Sequence, residues 1–212
     1  MDQVTLRRRE DGALELRVNG VFVMDDLETS SERLLARHVL DGGAQRILVG
    51  GLGLGFTTRE LLADADVEHV VVAELHHEIV HRMRDGTIPG ADLLGDPRLE
   101  VVVDDVRAVV AAQPVHSLDA IVLDVDNGPD FLVHDENAAV YGPGFVATCA
   151  ERLRPDGQLC VWSMADSDQL RRVMAEHLLD VEAVAVPVVL QGRREHYWIL
   201  TGRRGDDVGP GD

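Results

Sequence analysis

The sequence is short of cysteine, of positive charge and of long apolar runs, and each shortage excludes something. Cys149 and Cys160 are the only cysteines. With no CxxC pair and no second cluster they offer neither a disulfide framework nor a structural metal site, and both are expected as reduced core residues. Basic residues number 20 against 38 acidic ones, for a formal net charge of −18. A nucleic-acid backbone would be repelled over most of such a surface. The same excess of carboxylates favours cationic ligands, although it also serves solubility alone. Nowhere do eighteen apolar residues follow one another, and Met1-Asp2-Gln3-Val4 lacks the basic segment and apolar run of a leader peptide. These absences point to a cytoplasmic protein with neither nucleic acid nor membrane as partner.

What is present suffices for one core: 212 residues, of which 45% are hydrophobic. Residues 1–30 read as a small β-meander, with Leu14, Leu16 and Val18 alternating with polar positions. Asp11-Gly12 and Asn19-Gly20 stand where tight hairpin turns need positive φ. Thr29-Ser30-Ser31-Glu32 has the form of a capping box, so a helix is expected from about residue 31. From Arg46 onward short β-branched runs alternate with helix-length segments: 47–49, 70–73, 101–103 and 120–123. Runs apolar on both faces are the mark of parallel strands covered on both sides. A fifth strand at 159–162, a helix through Leu170, Val173 and Met174, and two closing strands near 183–189 and 197–201 complete the pattern. The expected fold is α/β: a doubly wound, seven-stranded Rossmann-like methyltransferase sheet over residues 31–202, ending in an antiparallel pair. Residues 203–212, polar and rich in Gly, Pro and Asp, are expected as a disordered tail.

In such a sheet ligands bind beyond the carboxyl ends of the strands, so the residues that follow each strand carry the information. Gly50, Gly51, Gly53 and Gly55 follow the first core strand in the loop GGLGLG, where glycines permit a tight turn and close backbone approach to a cofactor. The dinucleotide fingerprint GxGxxG is not met, since its third glycine would fall at Phe56. Glu74 ends the second strand, where a carboxylate can accept both hydroxyl hydrogens of a ribose. Asp104 and Asp105 follow the third strand, and Asp124, Asp126 and Asn127 the fourth. The long connection 127–144 adds His134 and Tyr141 as candidates to orient an acceptor, with a plain surface role open for both. Trp162-Ser163 either borders the same pocket or packs in the core. His77-Glu78-Ile79-Val80-His81 matches HExxH, but it lies on an ordinary crossover helix with no third ligand at hand, so solvated helix histidines are expected and no metal site.

The order GGLGLG, Glu74, Asp96-Pro97-Arg98, Asp104-Asp105 and Asp124-Val125-Asp126-Asn127-Gly128-Pro129 resembles the spermidine synthase family. That family carries GGGDGG, Val-Glu-Ile-Asp, Asp-Pro-Arg, Gly-Asp and Asp-Ser-Ser-Asp-Pro. The resemblance extends from about Gly12 to Trp162 and includes Asn19-Gly20 and Glu32. It implies that Glu74 holds the ribose, Asp105 the adenine and Asp124 the transferred proton; Asp126, Asn127 and Tyr141, from their place after the fourth strand, are the expected acceptor contacts. It also implies a homodimer with the N-terminal hairpin near its interface. The sequence departs from the pattern at Leu54 for the loop aspartate, at Val23 for a glutamine, at Ser30 for a tyrosine, and at Asn127-Gly128 for Asp-Pro. A neutral Leu54 removes a carboxylate that would repel the carboxylate of intact S-adenosylmethionine. The expectation is therefore a transferase that uses S-adenosylmethionine in preference to its decarboxylated form, and that alkylates a small, amine-bearing acceptor without making spermidine. A true aminopropyltransferase and a non-catalytic nucleoside-binding protein are the alternatives.

Overall fold

The computed structural model describes residues 3–125, 127–129, 132, 135–190 and 193–206. Three strands, β1 (Val4–Arg8), β2 (Leu14–Val18) and β3 (Val21–Asp25), form an antiparallel meander. Both turns are of the expected kind: Gly12, Asn19 and Gly20 all have positive φ. The meander is docked on the main body, because Leu14, Leu16 and Val18 share one buried cluster with Leu35 and Val39 of helix α1 (Ser30–Asp41). Full burial of a leucine such as Leu16 stabilises by about 1.5 to 3 kcal/mol, and Leu14 and Val18 add to the docking.

The expected capping box does not form. Thr29 is the N-cap residue of α1 but makes no side-chain cap hydrogen bond. The Glu32 carboxylate turns inward instead and accepts a hydrogen bond from Ser31 Oγ at 2.6 Å. Burial of the first turn against the sheet decides this in favour of the interior.

The main sheet contains β4 (Arg46–Gly50), β5 (His69–Ala73), β6 (Leu99–Val102), β7 (Leu118–Leu123), β8 (Leu153–Ser163), β9 (Leu179–Leu190) and β10 (Arg193–Arg203). Its order is β6-β5-β4-β7-β8-β10-β9, parallel from β6 to β8, with β10 antiparallel to both of its neighbours. Between the strands run α2 (Phe56–Leu62), α3 (His77–Arg84), α4 (Val106–Ala112), α5 (Pro143–Arg152) and α6 (Asp168–Ala175). The central strands are apolar on both faces because both are covered. Ile47 and Val49 belong to one core cluster, Leu48 and Ile121 to the other.

Register places the functional end of the sheet. Gly50 pairs with Ala73 and with Leu123, Ala73 with Val102, and Leu123 with Val161. The residues that follow these positions therefore leave the sheet along one edge. The chain runs outward from β4 to β6 and then returns to β7 on the other side of β4, so the crevice at that reversal is where such sheets bind ligands. Arg203 and Arg204, expected within a disordered tail, are held to the body. Arg203 closes β10, Arg204 exchanges backbone hydrogen bonds with Asp156 and Gly157, and its guanidinium reaches Leu153 O at 2.6 Å. Residues 207–212 lie outside the described residues. No helix among the described residues is long and apolar enough to cross a membrane.

Candidate active site

The crevice is a cavity whose floor is the row of strand ends and whose roof is the N-terminal meander. Gly51 and Gly53 line it after β4, Glu74 and His76 after β5, and Asp104 and Asp105 after β6. Asp124 and Asn127 follow β7, and Trp162 lies at the end of β8. Phe22, Val23 and Met24 close it from above, and Glu32 and Tyr197 complete one wall.

The glycine-rich loop divides into two roles. Gly51 has φ +93°, and a Cβ there would stand 2.1 Å from the carbonyl oxygen of Asp124. Only glycine lets the loop pass so close to the end of β7. Gly53 faces Met24, whose sulfur would lie 2.6 Å from an added Cβ. Gly50 and Gly55, expected as cofactor contacts, do not line the cavity. Gly50 is the last residue of β4 and is walled in by Val106 and Val125, while Gly55 at φ +85° is the N-cap of α2. Their glycines are needed for packing and for the turn. Leu54 is buried in the core and does not line the cavity, because the loop turns its side chain away while its N–H approaches Met24 Sδ at 3.3 Å. Counted from Gly50, the fourth position of GGGDGG falls on Gly53, and there a methionine thioether occupies the space that a side chain would need.

Glu74 is buried and accepts hydrogen bonds from the N–H groups of Leu52 at 2.9 Å and His76 at 2.8 Å. These two bonds fix the carboxylate between the loop and the start of α3, and a carboxylate has acceptor capacity left for ribose hydroxyls. Asp105 is the N-cap of α4. It accepts from Arg107 N at 2.8 Å and is paired with the Arg107 guanidinium at 2.5 Å, which holds its carboxyl below the usual range. It lines the cavity as a fixed, ionised acceptor. Asp104 lines it beside Asp105.

Asp124 accepts a hydrogen bond from Thr57 Oγ1 at 3.0 Å. Burial pushes its pKa up to about 6 against that bond. Glu32 is raised further, to about 7, first by burial and then by the charge of Asp124. Two carboxylates in one cavity with raised affinity for protons are suited to receive a proton or a cation. Tyr197 is pushed up to about 12 by burial and by the nearby acids, Glu32 foremost. Its ring lies 4.8 Å from that of Trp162, tilted by 60°.

Both raised acids bind protons more tightly in the folded than in the unfolded chain, so stability is greatest below about pH 4 to 5 on their account and declines as pH rises to about 7. For Glu32 this decline is about 3 kcal/mol at 1.36 kcal/mol per pH unit. Glu32→Gln is accordingly expected to gain on the wild-type protein when urea unfolding at pH 5 is compared with pH 8. Parallel pH dependence in the two proteins would mean that Glu32 is not strained in its ionised form.

Tyr141 is buried in the second core cluster and does not line the cavity, because the 3-10 segment Asp135–Tyr141 turns it inward ahead of α5; Asn137 and Val140 of the same segment line it instead. Asp126 and His134 lie outside the described residues. In the HExxH segment, Glu78 binds Arg82, with Nε at 2.9 Å, and His81 is an exposed side chain near Asp85. Among the described residues no group of three or more metal-ligating side chains occurs. Both cysteines are buried and free. Met24, Glu32, Thr57 and Tyr197 were not legible as cavity residues, since they come from elements far apart in the chain and only Glu32 had a motif, which suggested a cap.

No protein-family model matches the chain. It is 33% identical over 161 residues to a polyamine aminopropyltransferase of Mycobacterium tuberculosis, an alignment that covers 74% of this chain and 30% of that protein. A putrescine N-methyltransferase of Nicotiana attenuata is 29% identical over 153 residues, covering 71% of this chain and 38% of the relative. The chain thus spans about a third of the length of the curated relatives it matches. Among solved structures, a spermidine synthase in complex with the transition-state analogue AdoDATO superposes with a TM-score of 0.82 at 16% identity, over 98% of this chain and 72% of the other, a likeness of fold. Sequence and fold together place the chain in the spermidine-synthase-like, polyamine-aminopropyltransferase-like branch of the class I S-adenosylmethionine-dependent methyltransferase superfamily.

Proposed function

We propose that the protein is a cytoplasmic, homodimeric transferase that moves an aminopropyl group from decarboxylated S-adenosylmethionine to an amine nitrogen of a small polyamine. One observation carries the choice of cofactor. Glu32, Glu74, Asp104, Asp105 and Asp124 line the cavity, no arginine does so among the described residues, and the chain has no lysine. A carboxylate-bearing tail entering there meets like charge, worth about 4 kcal/mol for a pair at 4 Å in an effective dielectric of 20, whereas a bare ammonium is attracted. This reverses the expectation built on Leu54, which considered one lost carboxylate and not the five that remain. The name of the mycobacterial relative supports the same reading.

In this reaction the neutral amine attacks the carbon next to the sulfonium, a C–N bond forms as the C–S bond breaks, and a thioether nucleoside leaves. The new ammonium passes one proton to Asp124. The residues mainly hold the two reactants in line: Glu74 and Asp105 the nucleoside, the acidic wall the amine. The homodimer would be built on the meander, where Val21 and Phe22 are exposed.

A second reading, methyl transfer from intact S-adenosylmethionine to a diamine, is favoured by the loop alone, because Met24 over Gly53 leaves it without a carboxylate. The likeness to a putrescine N-methyltransferase agrees with it. Supplying each cofactor separately with putrescine and weighing the products decides between them. The expected product carries an added aminopropyl group and arises only with the decarboxylated cofactor. A methylated diamine would establish the second reading, and tighter binding of NAD than of any adenosyl ligand would overturn both.

A further inference from the structure

We propose that Glu32 is the anchor for an ammonium group of the acceptor, in a subsite walled by Tyr197 and Trp162 and distinct from the base Asp124. The inference rests on the amine-transferase reading and deepens it. Glu32 is 7% exposed and lines the cavity. Apart from Asp124, which has the Thr57 hydroxyl, buried carboxylates elsewhere among the described residues are matched by two or more donors. Glu15 has Arg9 and Arg17, Glu74 has two backbone N–H groups, and Asp119, partly buried, has Arg154 and the N–H groups of Gln45 and Arg46. Glu32 has the Ser31 hydroxyl and its own backbone N–H, and among the described residues no arginine or histidine pairs with it. A buried carboxylate that remains ionised needs a cation, and in this cavity the ligand is left to supply it.

The aromatic pair gives an independent reason to expect an occupant. Trp162 is 8% exposed, lines the same cavity, and its indole N–H has no hydrogen-bond partner among the described residues. Its neighbour Tyr197 lies close enough to Glu32 for the carboxylate to raise the phenol's pKa. Aromatic faces beside a buried acid favour an organic ammonium over a hydrated metal ion, because the rings stabilise the cation without supplying oxygen ligands. The proton balance points the same way. Asp124, as base, becomes neutral when it takes the proton of the alkylated nitrogen, so it cannot serve at that moment as counter-ion for a second charge on the acceptor. A second acid is needed for an acceptor with more than one nitrogen, and Glu32 lies near enough to Asp124 to feel its charge. The acceptor class that fits is a diamine or longer polyamine, in preference to a monoamine.

The test uses the full chain loaded with 5′-methylthioadenosine and titrated calorimetrically with 1,4-diaminobutane and, separately, n-butylamine. The wild-type protein is expected to bind the diamine more tightly than the monoamine. Glu32→Gln, which keeps the size and an acceptor for Ser31, should weaken diamine binding roughly 10- to 100-fold, as loss of a charge-assisted hydrogen bond does. It should also abolish the preference over the monoamine and leave methylthioadenosine affinity unchanged. In turnover the loss should appear in KM for the amine and not in kcat. Glu32→Asp, which retains the charge, should recover most of the affinity and serves as the comparison if the glutamine variant does not fold. Unchanged diamine binding in Glu32→Gln, or a Glu32→Asp variant as weak as the glutamine one, would overturn the anchor while leaving the transferase reading intact. Failure of the wild-type protein to bind methylthioadenosine would instead overturn the reading on which the anchor rests, and the anchor with it.

Discussion

Asp124→Asn is expected to lower turnover by roughly 10²- to 10⁴-fold, the range ascribed to a positioned general base, while nucleoside affinity stays near that of the wild-type protein. The side chain sits at the reversal point of the sheet, faces the cavity, and is aligned by Thr57. Asparagine keeps the shape and an acceptor for Thr57 but cannot take a proton. Glu74→Ala should give the opposite division: nucleoside binding weaker by about 1 to 3 kcal/mol, with part of that loss coming from the freed N–H groups of Leu52 and His76. Calorimetry with methylthioadenosine and single-turnover rates separate the two effects. An Asp124→Asn protein that turns over at the wild-type rate would move the base to another residue.

Gly51→Ala is expected to be the most damaging single methyl group in the chain. At φ +93° an L-residue is strained by about 1 to 2 kcal/mol on its own. The new Cβ would also stand 2.1 Å from a backbone oxygen of Asp124, at a residue whose own N–H is bonded to Gly50 O at 2.9 Å. Backbone cannot yield there without opening the pairing of β4 with β7, so the total loss should exceed about 4 kcal/mol, a size reserved for a few specific mechanisms. Gly43→Ala provides the control. It shares a positive φ of +74° but has nothing within 4 Å of the added carbon, and so should cost only the conformational term. Urea unfolding of both variants measures the difference. Equal losses would show that the close approach to Asp124 is relaxed at little cost.

The architecture was largely legible in advance because it rests on local signals. Two-sided apolar runs such as 70–73 and 120–123 announce buried parallel strands, and Asn-Gly and Asp-Gly turns announce hairpins whatever the rest of the chain does. The positions after each strand were legible for the same reason, since a parallel sheet sends all its strand ends to one edge, and Glu74, Asp104, Asp105 and Asp124 are found there. What remained out of reach depended on which way a side chain turns or on what is folded over it. Tyr141 and Leu54 went to the core because neighbouring elements bury them, and Gly50 and Gly55 serve packing and the turn because register sets the last strand residue at Gly50. Glu32 had the spacing of a helix cap, a local rule, but burial of the first turn of α1 under the meander directed its carboxylate into the cavity. The sequence by itself determined the strand order's raw material, the glycine loop and the row of acids, because each depends on residues near one another in the chain. Only the tertiary structure decided that Met24 fills the space at Gly53 and that Glu32, Asp124, Trp162 and Tyr197 line one cavity, because this brings together β3, α1, β7, β8 and β10 across most of the chain's length.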